Sequence, residues 1–539
     1  MTTAPAVKEK IPFIKSSIPS SISLLAGNSF WSLIGWCGAV ILSFVIVPIQ
    51  IRLLGEAHYG LMALLSSIIA PMILFDVGMG EATVKYVAES IGAGDSLRVE
   101  KFIRSTLAFN TFVGILGAMT IVLLADVLAR RVFNVPPESQ LMARQCLYWM
   151  AATWLINQIR QTFIGVVTAR QRYDLVNIGN LLTQALIALA GVGVLALGGG
   201  LLEFTQAQAI AGLLAGLVWL ITARRLFPSL RFSPKINKEA FRRTFGFGIW
   251  QMLNNMGGIL AGQSQRWLLG VLLPLAAVGF YNVAFQISIT IYIIAYRIGQ
   301  VVFPAVSQLQ GQGQDERAAQ LSMQASWMVV TLIVAILVPM AVFAEDVLTL
   351  WISPYFATQT VVVTKILCLA SAVGAMLAVP NFYLLGTGRV RWLAGLSFSQ
   401  GIISLAGAAL FIPLLGLTGA GWGYSLQTLA QLTMLWMIWS RIFKRWMSAK
   451  VYFAAFLGPA ILGLLLAGSF MYLREIRLLP IAANWMWLAV ETGACALFSL
   501  LLLISFDIIM PGGRERRVLL RRFYSSICLR VLKLKERFS

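Results

Sequence analysis

Gly92-Ala-Gly-Asp-Ser-Leu-Arg98 returns 219 residues later as Gly311-Gln-Gly-Gln-Asp-Glu-Arg317, the same Gly-x-Gly-x-x-x-Arg pattern in both places. That offset also pairs Trp31 with Trp250, Gly60 with Gly279, Gly80 with Gly299, Arg170 with Arg389, Arg172 with Arg391 and Gly200 with Gly419. A related pair, Gln50-Ile-Arg-Leu-Leu-Gly55 and Gln265-Arg-Trp-Leu-Leu-Gly270, is offset by 215, as if the loop after it gained four residues in the second half. Self-similarity at one fixed period marks a duplicated structural unit.

The sequence around these motifs is apolar. Of 539 residues 59% are hydrophobic and only 12% charged, with a mean hydropathy of +0.81, whereas a soluble chain carries roughly a quarter charged residues. The bilayer is therefore the solvent. Crossing it as a helix takes about 18 to 25 apolar residues, and fourteen runs qualify, with cores near 28–50, 59–79, 106–128, 146–168, 174–196, 203–223, 246–264, 277–300, 324–344, 360–384, 392–413, 418–440, 451–473 and 483–507. The expected fold is an all-α integral membrane protein. The repeat holds six spans, an even number, so both copies enter the membrane from the same side as parallel repeats. This divides the chain into an N-terminal segment 1–27, a six-helix bundle 28–223, a basic linker 224–245, a second bundle 246–440, helices 13 and 14 within 451–507, and a basic tail 511–539.

Lys and Arg gather on one side. Alternate loops, the N-terminus and the tail together hold 32 of the 42, the opposite loops hold 7, and Arg160, Arg297 and Lys365 fall inside spans. By the positive-inside rule both termini are cytoplasmic. The first span is too long for a signal-peptide core and no small-x-small cleavage pattern follows it, so an uncleaved N-terminus is expected.

Several classes of function drop out. The net charge of +21 belongs to the loops of a membrane protein and does not point to nucleic acid. One histidine and five scattered cysteines offer no metal-ligand spacing. The far-side loops, the longest about 129–145, leave no room for a catalytic domain, and the segments 224–244 and 511–539 contain no glycine-rich phosphate cradle. No enzyme activity and no cofactor are expected.

Several short motifs resemble a known family. Asn28-Ser-Phe-Trp31, Pro48-Ile-Gln-Ile-Arg-Leu-Leu-Gly55, Tyr59-Gly60, Phe75-Asp-Val-Gly-Met-Gly80 and Val87-Ala-Glu89 resemble the opening of the polysaccharide exporter family. That family includes the Wzx-type flippases and shares a superfamily with the multidrug and toxin extruders and the lipid II flippases. Leu268-Leu-Gly270, Ala277-Val-Gly-Phe-Tyr281 and Val302-Phe-Pro-Ala-Val306 look like its seventh and eighth spans. The resemblance covers spans 1–12. It implies a polyprenyl-diphosphate-linked oligosaccharide, an O-antigen, capsule or exopolysaccharide unit, moved across the bacterial inner membrane by alternating access. It also implies an ion gradient as driving force, with polysaccharide polymerase and glycosyltransferases as candidate partners. Lipid II flippases carry several arginines in and around the first two spans; here the first span has only Arg52.

Candidate binding residues follow from the cost of ionisable groups at membrane depth, about 2.5–3.5 kcal/mol on insertion scales. Arg160 lies in Asn157-Gln-Ile-Arg160-Gln161, about 12 Å from the near end of span 4, and either lines a cavity with Asn157 and Gln161 or snorkels. Arg297 near the inner end of span 8 and Lys365 near the outer end of span 10 face the same choice. Arg52 and Arg266, at the outer ends of spans 1 and 7, either receive a diphosphate or anchor their helices to lipid phosphates. Sugar hydroxyls call for amides and aromatics; span 7 offers Gln251, Asn254 and Asn255 on one helical face, which helix–helix hydrogen bonding would also explain. Asp76 is the carboxylate best placed for ion coupling. Pro48, Pro71, Pro339 and Pro380 are candidate kinks, and Gly78, Gly80 and Gly299 candidate points of loosening.

Two further readings remain open. One is a multidrug or cation antiporter of the same fold, which would need carboxylates deep in the bundle. The other is a non-transporting scaffold for polysaccharide assembly that uses the basic face and the tail, although the tail reads better as an amphipathic helix on anionic lipid.

Overall fold

The computed structural model describes residues 21–72, 84, 87, 90, 91, 94–170, 172–228, 233–235, 238–476 and 484–506. All regular structure among them is helical. The run Ser21–Ile69 is two helices, α1 and α2, meeting at Gly55, whose φ of 76° and ψ of 163° no helix contains. There follow α3 (Ser96–Val127), α4 (Pro137–Ala169), α5 (Tyr173–Ala196), α6 (Leu201–Leu226), α7 (Lys238–Leu272) and α8 (Leu275–Gly311). Then come α9 (Asp315–Val342), α10 (Ala344–Trp351), α11 (Pro354–Ala375), α12 (Ala378–Gly386), α13 (Val390–Leu415), α14 (Leu417–Arg441), α15 (Ala449–Glu475) and α16 (Trp485–Phe506). With α10 a short corner helix and α11–α12 one interrupted span, these make the fourteen expected spans.

The helix ends have local chemical causes. Asp95 caps α3 by accepting from the Arg98 amide at 2.9 Å, Ser353 caps α11 and Ser448 caps α15. Pro137 and Pro354 open α4 and α11 at a position where no N–H is required.

The chain forms two compact units, residues up to Met252 and from Leu253 onward. In the first, α1 packs on α5, α3 on α4, α4 on α6 and α5 on α6; in the second, α9 packs on α11, α11 on α14 and α13 on α14. This is the same pairing shifted by six spans. It is completed by α7 against α13, where Gly257 lies so close to the Ser397 backbone that a Cβ there would collide with its carbonyl. Gly38, 219 residues earlier, is packed on the Leu181 side chain of α5, which a Cβ would meet at 2.7 Å. The small-residue contacts let backbones approach where no hydrophobic force drives helices together. The repeated loop motif is also conformational: Gly94 has φ 69° and Gly313 φ 71°. In both, the glycine amide donates three residues back and the next amide five residues back, the left-handed closure of a helix. The four-residue difference is real too, since α2 starts directly after Gly55, whereas residues 271–274 separate Gly270 from the start of α8.

The core of the first unit joins Phe102, Ile103, Phe163, Val166 and Trp219. That of the second joins Trp327, Val334, Leu435, Tyr452, Phe456 and Leu503. The α15–α16 pair, which lies outside the repeat, is therefore built into the second unit through α9. Large apolar side chains such as Leu123, Leu189, Leu465 and Leu501 stay exposed, as a lipid-facing surface requires.

Several local expectations are corrected. The tenth span does not run unbroken over 360–384: it stops at Ala375, and α12 begins at Ala378 with Pro380 in its first turn, where the missing amide costs nothing. It also begins earlier, at Pro354, so Lys365 stands eleven residues into a 22-residue helix, about 16 Å from its start. Helix α8 continues to Gly311, so Arg297 is no longer near its end. Gly299 does not loosen that helix; it admits Phe382 and the Ala378 carbonyl, which a Cβ would meet at 2.8 and 3.2 Å. Pro48 and Pro339 sit inside continuous helix. Gly78 and Gly80 lie outside the described residues.

Candidate functional site

Among the described residues, ten helical stretches are long and apolar enough to cross a membrane on length and composition. Helices α4, α7 and α14 are not among them. These three carry the polar side chains of interest.

On α4 the turn Asn157–Gln161 splits by face. Gln158 is buried toward α3, its Cβ 3.3 Å from where a Cβ on Gly114 would stand. Asn110 of α3 donates to Thr162 at 2.9 Å in the same interface. Asn157 and Arg160 are half-buried, and the Arg160 Nη2 donates to Asn157 Oδ1 in a contact of 2.5 Å. Gln161 is exposed. Arg160 pairs with no carboxylate among the described residues. The arrangement holds a guanidinium at depth with an amide as its partner, leaving the charge uncompensated for an anion.

In the second unit Arg266 is only 7% exposed, so its surroundings are protein side chains. Its Nε donates to Asn282 Oδ1 at 3.1 Å, and Nη1 donates to the Gly262 carbonyl and to Gln263 Oε1, both at 2.9 Å. The guanidinium lies over the Phe285 ring at 4.7 Å and the Tyr281 ring at 5.9 Å. Beside it Gln265 donates to Ser404 of α13 at 2.7 Å, and Ser404 donates to the Ala261 carbonyl at 3.1 Å. Helix–helix hydrogen bonding thus accounts for the C-terminal polar residues of α7. Asn255 is half-buried. The side chains of Gln251 and Asn254 lie outside the described residues, as does Asp76.

Arg52 and Arg297 are exposed, and Lys365 is half-buried. Lys365 makes no hydrogen bond or ion pair among the described residues. At the end of the first unit that carries Gly94, the linker is strapped down: Lys235 N donates to the Arg104 carbonyl at 3.2 Å and Arg104 Nε to the Ser233 carbonyl at 3.2 Å. Nearby, Arg170 sits 4.5 Å over Phe227, and Arg172 is paired with Asp174, a hydrogen bond that holds its guanidinium above the ordinary pKa.

Sequence reasoning missed Gln427 and Gln431 of α14 and Tyr281 of α8, each with a buried oxygen that has no hydrogen-bond partner among the described residues. The available signal was their spacing. Tyr424, Gln427 and Gln431 fall at i, i+3 and i+7, one face of a helix.

Comparison with known proteins decides the family, since residues 25–310 match the polysaccharide biosynthesis protein family, more than half of the chain. The chain belongs to that family. It is similar to a putative O-antigen transporter of Shigella flexneri, 19% identical over 422 residues, which span 77% of this chain and 97% of the relative. Among solved structures it is similar to the lipid II flippase MurJ in an inward closed conformation, with a TM-score of 0.68 and 12% identity over 90% of this chain and 99% of the other. It is also similar to an inward-facing multidrug resistance MATE transporter of the MOP superfamily, with a TM-score of 0.65 and 15% identity over 75% and 95%. These structures establish that the family member described here has the MATE and MurJ type of fold.

Proposed function

We propose that this protein is a flippase that moves a polyprenyl-diphosphate-linked oligosaccharide across the bacterial cytoplasmic membrane by alternating access, with both termini cytoplasmic. The observation that carries the reading is Arg160, a guanidinium held in α4 by the amide of Asn157 and by no carboxylate among the described residues. A diphosphate supplies the missing negative charge and several acceptor oxygens for a planar fork donor. Membership of a polysaccharide biosynthesis family and the likeness to an O-antigen transporter support an O-antigen, capsule or exopolysaccharide unit as the cargo. Lys365 is a second cation at depth suited to the same anion. Coupling to an ion gradient, with Asp76 as the titrating group, belongs to this reading, as do polymerase and glycosyltransferase partners.

A multidrug antiporter of the same fold would recognise organic cations, for which carboxylates are needed where α4 presents Arg160. The test is reconstitution into liposomes with a fluorescent polyprenyl-diphosphate oligosaccharide in both leaflets. Protein-dependent loss of protection from an added reductant is expected. Export of an organic cation without movement of the lipid would overturn the reading.

A further inference from the structure

We infer that the interior of the second unit contains a subsite for the sugar hydroxyls of the cargo, on the face of α14 made by Tyr424, Gln427 and Gln431. It rests on the flippase reading for the identity of the ligand and adds a recognition site for the glycan, separate from the cations assigned to the diphosphate.

The face is continuous with the Arg266 cluster. Phe285, which lies under Arg266, meets the Tyr424 ring edge-on at 5.5 Å. One turn along α14 stands Gln427, 3% exposed, and a further turn along stands Gln431. Among the described residues, the Oε1 of each is buried without a donor, and so is the Tyr281 hydroxyl beside Arg266. Facing Gln431 is Gly374, one residue from the end of α11. A Cβ there would lie 3.6 Å from Gln431 Oε1 and 3.7 Å from the ring of Tyr292 on α8. Glycine at this position thus leaves a methyl-sized space between the amide and the aromatic ring.

A buried amide oxygen without a donor is unfavourable, and here two recur on one face of one helix. What they lack is hydrogen-bond donors, which sugar hydroxyls supply, while tyrosine rings offer flat apolar surface to the carbon faces of a pyranose.

The test is equilibrium binding to the full-length protein in nanodiscs. Two probes are compared, a polyprenyl-diphosphate bearing one sugar and the same carrier bearing a complete oligosaccharide. Two lost hydrogen bonds of about 0.5–1.5 kcal/mol each correspond to about 5- to 150-fold. The double variant Gln427→Leu/Gln431→Leu is expected to weaken the oligosaccharide carrier by that factor and to leave the single-sugar carrier within about twofold. Gly374→Val, which fills the space between Gln431 and Tyr292 and leaves both amides, should give the same selective loss. Equal weakening of both carriers, or no weakening, overturns the subsite. A protein that binds with this selectivity but moves neither carrier across liposomes keeps the subsite and overturns the flippase reading.

Discussion

Arg474 and Asp346, 128 residues apart in sequence, form an ion pair at 2.6 Å that ties the end of α15 to the corner helix α10. Arg474 also donates to the Val342 carbonyl at 2.8 Å and lies 5.4 Å over Phe343. Asp346 is 3% exposed, so Arg474 and not water faces its carboxylate. Arg474→Ala is expected to destabilise the second unit by about 3–5 kcal/mol, the usual result of stranding a buried charge. Arg474→Met/Asp346→Leu should recover most of that loss. A double-mutant cycle on thermal unfolding in detergent measures both; a harmless Arg474→Ala would mean the pair carries no stability.

Gly94 and Gly313 predict a matched pair of backbone effects. Their φ values of 69° and 71° lie in the left-handed region, where a side chain costs about 1–2 kcal/mol. Gly94→Ala and Gly313→Ala should each lower the unfolding temperature, and asparagine at either site should lower it less. Equal tolerance of alanine at both would contradict the shared turn.

Arg160 predicts a graded loss of transport. At equal protein level Arg160→Ala should abolish surface polysaccharide in a complemented strain, and Arg160→Lys should retain part of it, because the charge survives and the bidentate fork does not. Unchanged polysaccharide with Arg160→Ala would leave the residue no part in binding.

Orientation is tested by thiol labelling in a cysteine-free background. Lys235 in the strapped linker and Glu138 in the first turn of α4 are both exposed. With cytoplasmic termini, Lys235→Cys should resist a membrane-impermeant reagent in intact cells and Glu138→Cys should react. The reverse pattern would invert the topology.

A packing prediction follows from α7 and α13. Gln265→Leu removes the donor to Ser404 and should cost about 1–2 kcal/mol. Gly257→Val should be far worse, since its Cβ would collide with the Ser397 backbone, which cannot move aside as a side chain can. Thermal unfolding of the two variants ranks them; the opposite order would mean that polar contact, and not backbone approach, holds these helices together.

The sequence by itself determined the number of spans, the duplication and its offset. Each rests on local chemistry: apolar runs long enough for a bilayer, and glycines such as Gly94 and Gly313 that only a left-handed turn requires. It also singled out Arg160, because a cation inside an apolar run is visible in one dimension. Tertiary structure alone decided what each polar group faces. Arg266 read as a phosphate-facing cation until Asn282, Gln263 and Phe285 closed around it. Lys365 moved to mid-helix once Pro354 set the start of α11, and Gln427 and Gln431 gained meaning only when Gly374 and Tyr292 came opposite them. Hydropathy fixes which segments enter the membrane, because transfer into lipid is a property of each segment. The choice between cavity, neighbour and lipid is a property of pairs of helices, whose packing depends on small residues and shape and leaves little trace in any single span.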